Sequence, residues 1–295
     1  MKVAIYGQEY QETALEYVVE LLEELQKNQA VVLFESQFYQ FLGGDKALGQ
    51  YSTFTSDKGL DSTFDLFVSF GGDGTILRAI TYIKDVGIPV VGVNTGRLGF
   101  LSTFKKEVVR RVVTEFNAGA YELGERSLVA DYSDYEIPDF GSLNFALTEV
   151  SVSRKDTTSM ITIATYLNDE YLTSYWADGL IIATPTGSTG YSLSCGGPVI
   201  TPTAQSLVIT PIAPHNLNAR PLVISDTKTI SMEIEGRDHD YLLSIDSKIY
   251  TVPGETKNQV KKADYYIILI NLKADNFYNT LRQKLLWGED TRNHK

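Results

Sequence analysis

The chain has 295 residues, of which 43% are hydrophobic and 21% charged, and its formal net charge at pH 7 is −11. These values are typical of one large or two medium globular domains, and the acidic balance argues against a nucleic-acid-binding protein. No apolar run has the length of a bilayer span, and a single cysteine, Cys195, excludes an internal disulfide framework, so we expect a cytoplasmic protein without a membrane partner.

The first third of the chain alternates between predicted strands and predicted helices. In residues 12–27, for example, leucines and valines recur at helical spacing. Residues 43–61 are polar and rich in turn formers, and they are predicted to be a mobile surface loop. Alternating elements indicate a parallel sheet of Rossmann-like type. The predicted strands are residues 3–6, 30–35, 64–70 and 89–94, and the predicted helices are residues 12–27, 75–83 and 105–117.

From about residue 120 the pattern changes to short β-rich runs separated by turn signals. Strands are predicted at residues 127–132, 145–153, 160–167, 180–184, 206–212, 229–234, 241–245 and 265–272, followed by a helix at 277–286. The predicted fold class is therefore α/β + β, with a C-terminal helix that returns to the first domain. The predicted domains are a Rossmann-like α/β domain at 1–118, a mostly β, sandwich-like domain at 119–272, and the helix at 273–295.

The most informative segment is GGDGT at residues 71–75, a glycine cluster around one carboxylate between a predicted strand and a predicted helix. Such a turn presents bare backbone N–H groups at the positive end of a helix, where phosphate binds. An acid there, Asp73, would repel phosphate unless it holds a metal ion or takes a proton from an attacking hydroxyl, and this combination indicates phosphoryl transfer. The alternative is that Asp73 only N-caps the helix. The candidate phosphate-donor loop is Gly71, Gly72, Gly74 and Thr75.

A second segment, residues 178–194 (DGLIIATPTGSTGYSLS), combines an apolar strand with a loop rich in glycine and hydroxyl side chains. The hydroxyls could bind a polar ligand, and the ring of Tyr191 could lie against a base. The alternative is a hydroxyl-rich hairpin loop with no ligand.

Five short sequence segments, which include the two described above, follow one another along the chain. They are GGDG at 71–74, NTGRLGFL at 94–101, LTEV at 147–150, the 178–194 segment followed by GGP at 196–198, and PHNLNARPLV at 214–223. In this order and spacing the chain resembles the NAD kinase family over most of its length. Diacylglycerol-type lipid kinases share the first block but not the later blocks as a set.

The resemblance implies that Asp73 is the general base, which takes the proton from the 2′-hydroxyl of the adenosine ribose of NAD as that oxygen attacks the terminal phosphate of ATP. It implies ATP as phosphate donor and Mg²⁺ or another divalent cation as cofactor, and it leaves the metal ligands unknown. It also implies a homodimer or homotetramer, with Asp178 near the nicotinamide and completing a neighbour's site. The residues expected to bind NAD are Asp73, Gly74, Arg78, Phe100, Thr148, Glu149, Asp178, Thr189, Gly190, Tyr191, Ser192, Leu193, Ser194 and Lys248.

Two positions depart from the family pattern. Thr148 stands where the family has asparagine, and Lys248 stands where it often has glutamine. A hydroxyl offers fewer hydrogen-bonding groups than an amide, so the affinity for NAD is left open. The donor, ATP or polyphosphate, and the preference for NAD or NADH are also left open.

Two other functions compete with NAD kinase activity. One is a lipid or other alcohol kinase that shares the GGDG loop, although the acidic pI of about 4.8 disfavours a membrane-binding surface. The other is a catalytically drifted dinucleotide-binding sensor. Retention of Asp73 argues against a sensor, because a pure binder gains nothing from a carboxylate beside phosphates.

Overall fold

The computed structural model describes residues 1–8, 14–56, 58–96, 99–102, 104–105, 109–135, 143–155, 159–237, 239–272 and 277–286. Within these ranges, no helix combines the length and the apolar character that crossing a bilayer requires. The chain forms two compact units, Met1–Glu125 with Ile267–Lys295, and Arg126–Tyr266. The domain boundaries predicted from the sequence stay predictions.

The elements follow one another along the chain in this order. They are β1 (Lys2–Gly7), α1 (Ala14–Lys27), β2 (Val31–Glu35), α2 (Ser36–Phe41), α3 (Asp45–Leu48), β3 (Ser52–Phe54), β4 (Leu66–Phe70), α4 (Asp73–Ile83), β5 (Val90–Asn94), β6 (Phe104–Lys105), α5 (Val109–Asn117), β7 (Tyr121–Asp131), β8 (Phe145–Ala146), β9 (Glu149–Arg154), β10 (Ile161–Leu167), β11 (Glu170–Ala177), β12 (Gly179–Ala183), α6 (Tyr191–Ser194), β13 (Ser206–Ile212), β14 (Leu222–Ser225), β15 (Ile230–Glu235), β16 (Asp240–Ile245), β17 (Lys248–Pro253), β18 (Lys257–Leu272) and α7 (Phe277–Leu285).

The first unit is built on a parallel sheet in the order β3-β2-β1-β4-β5. The end of β18 continues it, with Leu269 beside Val90 of β5 in parallel register. Every residue of β4 and β5 is buried, as expected for a parallel strand covered on both faces. This arrangement brings the carboxyl ends of β4 and β5 together, and the glycine loop follows β4 directly.

The prediction of a continuous loop at residues 43–61 is wrong at two stretches. This segment contains α3 and β3, and β3 pairs in parallel with β2 at the edge of the sheet. The physical reason is one aromatic side chain, Phe54, which is buried and packs edge-on against Phe67 at a centroid distance of 5.9 Å. Burial of this ring overrides the turn-forming composition around it.

The second unit is a sandwich of antiparallel strands. One sheet has the order β14-β13-β12-β9-β16-β17, and the strands β11-β10-β15 are joined by the first part of β18 in the other. Buried side chains alternate with half-buried ones along β10 and β16, so one face of each strand points into a shared apolar core. The predicted fold class, a parallel α/β domain with an antiparallel β domain and a C-terminal helix, is confirmed.

Candidate functional site

The glycine loop makes a tight turn between β4 and α4. Gly71 has a φ of +149°, and a Cβ on it would lie 2.1 Å from Oγ1 of Thr75, so this position needs glycine. The helix begins at Asp73, with Gly72 as its N-cap. The alternative in which Asp73 only N-caps the helix is therefore wrong.

Two further glycines leave the start of the helix without side chains. A Cβ added to Gly72 or to Gly74 would meet no described atom within 4 Å. Packing within the chain therefore does not explain glycine at either position. The first turn of a helix carries N–H groups without intrahelical partners and a partial positive charge, and both favour an anion such as phosphate.

The carboxylate of Asp73 is held by three consecutive backbone N–H groups. Phe100 donates to Oδ2 at 2.8 Å, and Leu101 and Ser102 donate to Oδ1 at 3.0 and 2.9 Å. A carboxylate offers about four acceptor positions, so Oδ2 keeps the capacity to accept one more hydrogen bond. Asp73 is thus fixed in orientation while one oxygen can still meet a hydroxyl.

The NTGRLGFL block explains why this loop has the shape it does. Asn94 is buried at the end of β5, and its Oδ1 accepts from the N–H of Gly96 at 2.7 Å in a local turn. At the other end of the loop, a Cβ on Gly99 would lie 1.8 Å from Oδ1 of Asp73. Only glycine lets the loop backbone approach the carboxylate this closely. The block therefore serves to hold Asp73.

Arg78 lies one and a half turns into α4, with an exposed side chain. The amide of Gln8, oriented to satisfy its neighbours, accepts from Nε and Nη1 of Arg78 at 2.9 and 3.1 Å and donates to Thr75 Oγ1 at 3.2 Å. Gln8 thus ties the guanidinium to the glycine loop, which keeps a positive charge on the same helix as Asp73.

The second unit contains a similar arrangement around Asp246. Its carboxylate accepts from the N–H groups of Leu147 and Thr148 at 2.8 Å each and of Glu149 at 3.3 Å, and from the Thr148 hydroxyl at 2.6 Å. Asp246 lies in the turn between β16 and β17 with a φ of 49°. Thr148 stands where the family pattern has asparagine, and its hydroxyl binds Asp246.

Glu149 is the second notable carboxylate of this unit. Its Oε2 atom is buried and has no hydrogen-bond partner among the described residues. Burial, reinforced by the nearby Asp246 carboxylate, raises the pKa of Glu149 from 4.5 to about 7. A buried acceptor without a partner is costly, so this atom is suited to receive a hydroxyl or amine hydrogen from a ligand. A Cβ on Gly190 would lie 3.3 Å from the same oxygen, which places it beside the glycine-rich loop.

Many hydroxyls of the 178–194 segment are used inside the protein. Thr184 donates to the carbonyl of Leu147 at 2.6 Å, Ser188 to that of Pro185 at 2.6 Å, and Ser192 is fully buried against Thr210 at 2.8 Å. These bonds shape the loop. The predicted contact of Ser192 with NAD stays a prediction, and the buried hydroxyl is not placed to make it.

The remaining predicted residues of this loop lie closer to its surface. Thr189 and Leu193 are half-buried, and Gly190, Tyr191 and Ser194 are exposed. A Cβ on Gly187 would lie 2.0 Å from the carbonyl oxygen of Thr148, so the loop backbone approaches the 147–149 segment closely. The structure thus brings Thr148, Glu149 and the loop together in one unit.

Asp178 and Lys248 complete the predicted set. Asp178 pairs with Arg154, with Oδ2 3.3 Å from Nη2, and both side chains are partly exposed. Lys248 is the first residue of β17 and directly follows the turn that contains Asp246. Their predicted contacts with NAD stay predictions.

Asp246 is not among the residues that the sequence predicts for the site. The signal that could have found it is an acid in a two-residue hairpin turn, a position that commonly binds backbone N–H groups.

Comparison with known proteins agrees with these observations. The model of the ATP-NAD kinase N-terminal domain matches residues 3–121, and that of the C-terminal domain matches residues 147–272. The NAD kinase of Christiangramia forsetii is 53% identical over 294 residues, covering 99% of this chain and 100% of that protein. The NAD kinase of Cytophaga hutchinsonii is 47% identical over 295 residues, again covering 99% of this chain and 100% of that protein.

Two solved structures share the fold. Yeast NADH kinase in complex with NADH has a TM-score of 0.85 at 23% identity, covering 100% of this chain and 90% of that one. An NAD kinase from Archaeoglobus fulgidus in complex with ATP has a TM-score of 0.73 at 23% identity, covering 97% and 99%. The resemblance inferred from the motifs is therefore confirmed.

Proposed function

Because the chain belongs to the ATP-NAD kinase family, we propose that it transfers the terminal phosphate of ATP to the 2′-hydroxyl of the adenosine ribose of NAD. The observation that carries this proposal is the carboxylate of Asp73, which three backbone N–H groups orient while Oδ2 retains acceptor capacity. A positioned carboxylate at a phosphate-binding helix start suits proton removal from an attacking hydroxyl better than simple anion binding.

In this reaction Asp73 Oδ2 accepts the proton of the 2′-hydroxyl as its oxygen forms a bond to the terminal phosphorus of ATP. The bond from that phosphorus to the bridging oxygen breaks, and the products are NADP and ADP. The bare start of α4 and the Arg78 guanidinium supply positive charge for the phosphates.

A divalent cation, Mg²⁺ by preference, is proposed to enter with the donor. Among the described residues no group of three or more His, Cys, Asp or Glu side chains is arranged to hold a metal ion. Mg²⁺ usually keeps several waters and binds substrate phosphates. It fits this protein as part of the bound nucleotide, where it offsets phosphate charge in an acidic chain.

The dinucleotide is proposed to be recognised by the second unit. The unpartnered Oε2 of Glu149 accepts a hydrogen bond from a ribose hydroxyl or the adenine amine. The exposed part of the 189–194 loop, with the ring of Tyr191, supplies surface for the base and backbone groups for the pyrophosphate. Asp178 is proposed to act at the nicotinamide side.

The test is a substrate panel with the full-length protein, ATP or polyphosphate as donor, Mg²⁺, and NAD, NADH, sphingosine or diacylglycerol as acceptor. We expect NAD or NADH to be phosphorylated and phosphorus NMR to place the new phosphomonoester on the 2′-oxygen. Phosphorylation of a lipid instead would support the lipid-kinase alternative. Binding of NAD without any transfer would support the sensor.

Two further proposals accompany this function. The protein is proposed to act in the cytoplasm, which its single cysteine favours. It is also proposed to assemble as a homodimer or homotetramer, and light scattering coupled to size-exclusion chromatography measures that state directly. A monomer with full activity would contradict the assembly proposal alone.

A further inference from the structure

The C-terminal helix contacts the loop that holds Asp73. Within the first unit, the ring of Phe277 on α7 lies 6.3 Å from the ring of Phe100, tilted by 43°. Nζ of Lys284 lies 5.8 Å from the centroid of the same ring. Residues 277, 281 and 284 fall on one face of a helix, and Leu281 between them is buried. This face of α7 therefore packs against the ring of Phe100.

Phe100 connects this face of α7 to the carboxylate of Asp73. Its backbone N–H donates to Oδ2 of Asp73 at 2.8 Å. Oδ2 accepts one hydrogen bond from this loop, whereas Oδ1 accepts two. Oδ2 is therefore the oxygen that can still accept a hydrogen bond from an attacking hydroxyl. A displacement of Phe100 that includes its backbone therefore moves the donor that orients this oxygen.

We propose that α7 is a positioning element for the base, in which Phe277 and Lys284 fix Phe100 and Phe100 fixes Asp73. The proposal rests on the proposed function, because it assigns α7 a part in that reaction. Proton transfer requires the base within about 2.6–3.2 Å of the hydroxyl. A displacement of about 1 Å costs as much as roughly 100-fold in rate. Phe277 and Lys284 are thus positioning residues that act through the loop.

The first experiment measures kcat and KM for NAD in Phe277→Ala, with Phe277→Leu as the conservative variant. Gln283→Ala is the control, since it removes an exposed side chain of the same helix. We expect kcat to fall about 10- to 100-fold in Phe277→Ala, to recover largely in Phe277→Leu, and to stay unchanged in Gln283→Ala. An unchanged kcat in folded Phe277→Ala overturns the proposal.

The second experiment asks whether Phe277 acts through Asp73. Phe277→Ala is combined with Asp73→Asn, and single-turnover rates are compared in a double-mutant cycle. If α7 works by orienting the carboxylate, Phe277→Ala should cost little once the carboxylate is gone. If the fold losses in rate of the two single variants multiply in the double variant, Phe277 has a general structural role and the proposal is overturned.

If Phe277→Ala does not fold, Lys284→Ala replaces it in both experiments. Arg282→Ala is then the control, because it removes an exposed cation of the same helix that binds Asn279. We expect about a two- to fivefold fall in kcat for Lys284→Ala, the usual worth of an exposed cation–π contact, and no fall for Arg282→Ala. Equal effects would overturn the proposal. A wild-type protein that transfers no phosphate would instead refute the proposed function, so the two failures are distinguishable.

Discussion

The buried carboxylate of Glu149 predicts a pH-dependent affinity for NAD. Burial and the nearby Asp246 raise its pKa to about 7, and its Oε2 has no partner among the described residues. If a ribose hydroxyl or the adenine amine donates to this oxygen, NAD binds the ionised form. The ionised fraction falls from about 90% at pH 8 to about 10% at pH 6, so the apparent Kd should rise about tenfold between these values.

Isothermal titration calorimetry measures both the Kd and the accompanying proton release. At pH 7 wild-type protein should release about half a proton on binding NAD, as seen from titrations in buffers of different ionisation enthalpy. Glu149→Gln should release none and show a Kd that varies little with pH. Asp131→Asn is the matched control, because burial raises the pKa of Asp131 to about 7 as well, yet Asp131 lies outside the 147–149 segment.

The same shift has a consequence for stability. The folded-state pKa of Glu149 lies above its ordinary value of 4.5, so its stabilising contribution is full below about pH 4.5 and is lost as the pH rises through about 7. The loss amounts to about 3 kcal/mol by pH 8. Glu149→Gln and Asp131→Asn should both flatten the pH dependence of unfolding. A Kd for NAD that falls towards acid, or proton release that survives in Glu149→Gln, would refute the role of Glu149 as an acceptor.

Three other predictions concern the turns around the two carboxylates and the assembly. Gly71→Ala should lower the free energy of unfolding in urea, because its Cβ would meet Thr75, whereas Gly72→Ala should fold normally and weaken ATP binding; equal stabilities would contradict this. Asp246→Ala leaves three backbone N–H groups and the Thr148 hydroxyl without their acceptor, so we expect a loss of about 3–5 kcal/mol in the same measurement, and a loss below 1 kcal/mol would argue against this network. Co-expression of Asp73→Asn with Asp178→Asn should restore activity in mixed oligomers if Asp178 serves a neighbouring subunit; mixed oligomers as inactive as the separate variants would place both residues in one chain's site.

Much of the fold could be predicted because the local patterns were strong. The apolar runs of β4 and β5 and the helical spacing in α1 gave the parallel α/β unit directly. The sequence could not reveal β3, because this strand is only three residues long, lies among turn formers and is held by the burial of Phe54 against a distant strand. In β11, exposed and half-buried residues occupy six of the eight positions, so this strand lacks the contrast that a period-2 pattern needs.

For the site, the motifs drew attention to the segments around Asp73 and Glu149 but did not indicate the contacts that these segments make. Phe100 of the NTGRLGFL block is predicted to bind NAD, and the structure adds that the backbone of Phe100 and Leu101, together with the following Ser102, holds the carboxylate of Asp73. Likewise the hydroxyl of Thr148 could be read as a weakened ligand contact, although it is bonded to Asp246. Such pairs lie 27 to 29 and 98 residues apart, and no local pattern encodes contacts over that separation.

The most direct test of the central claim is the single-turnover rate of NADP formation by wild-type protein and Asp73→Asn at saturating NAD, ATP and Mg²⁺. The variant keeps the size of the side chain but removes the base, and its amide nitrogen can no longer accept from the loop. We predict a fall of about 10²- to 10⁴-fold, the usual worth of general-base catalysis, with the Kd for NAD changed by less than about fivefold. A rate in Asp73→Asn close to that of the wild type would contradict the account, because the carboxylate around which the site is built would then take no part in the transfer.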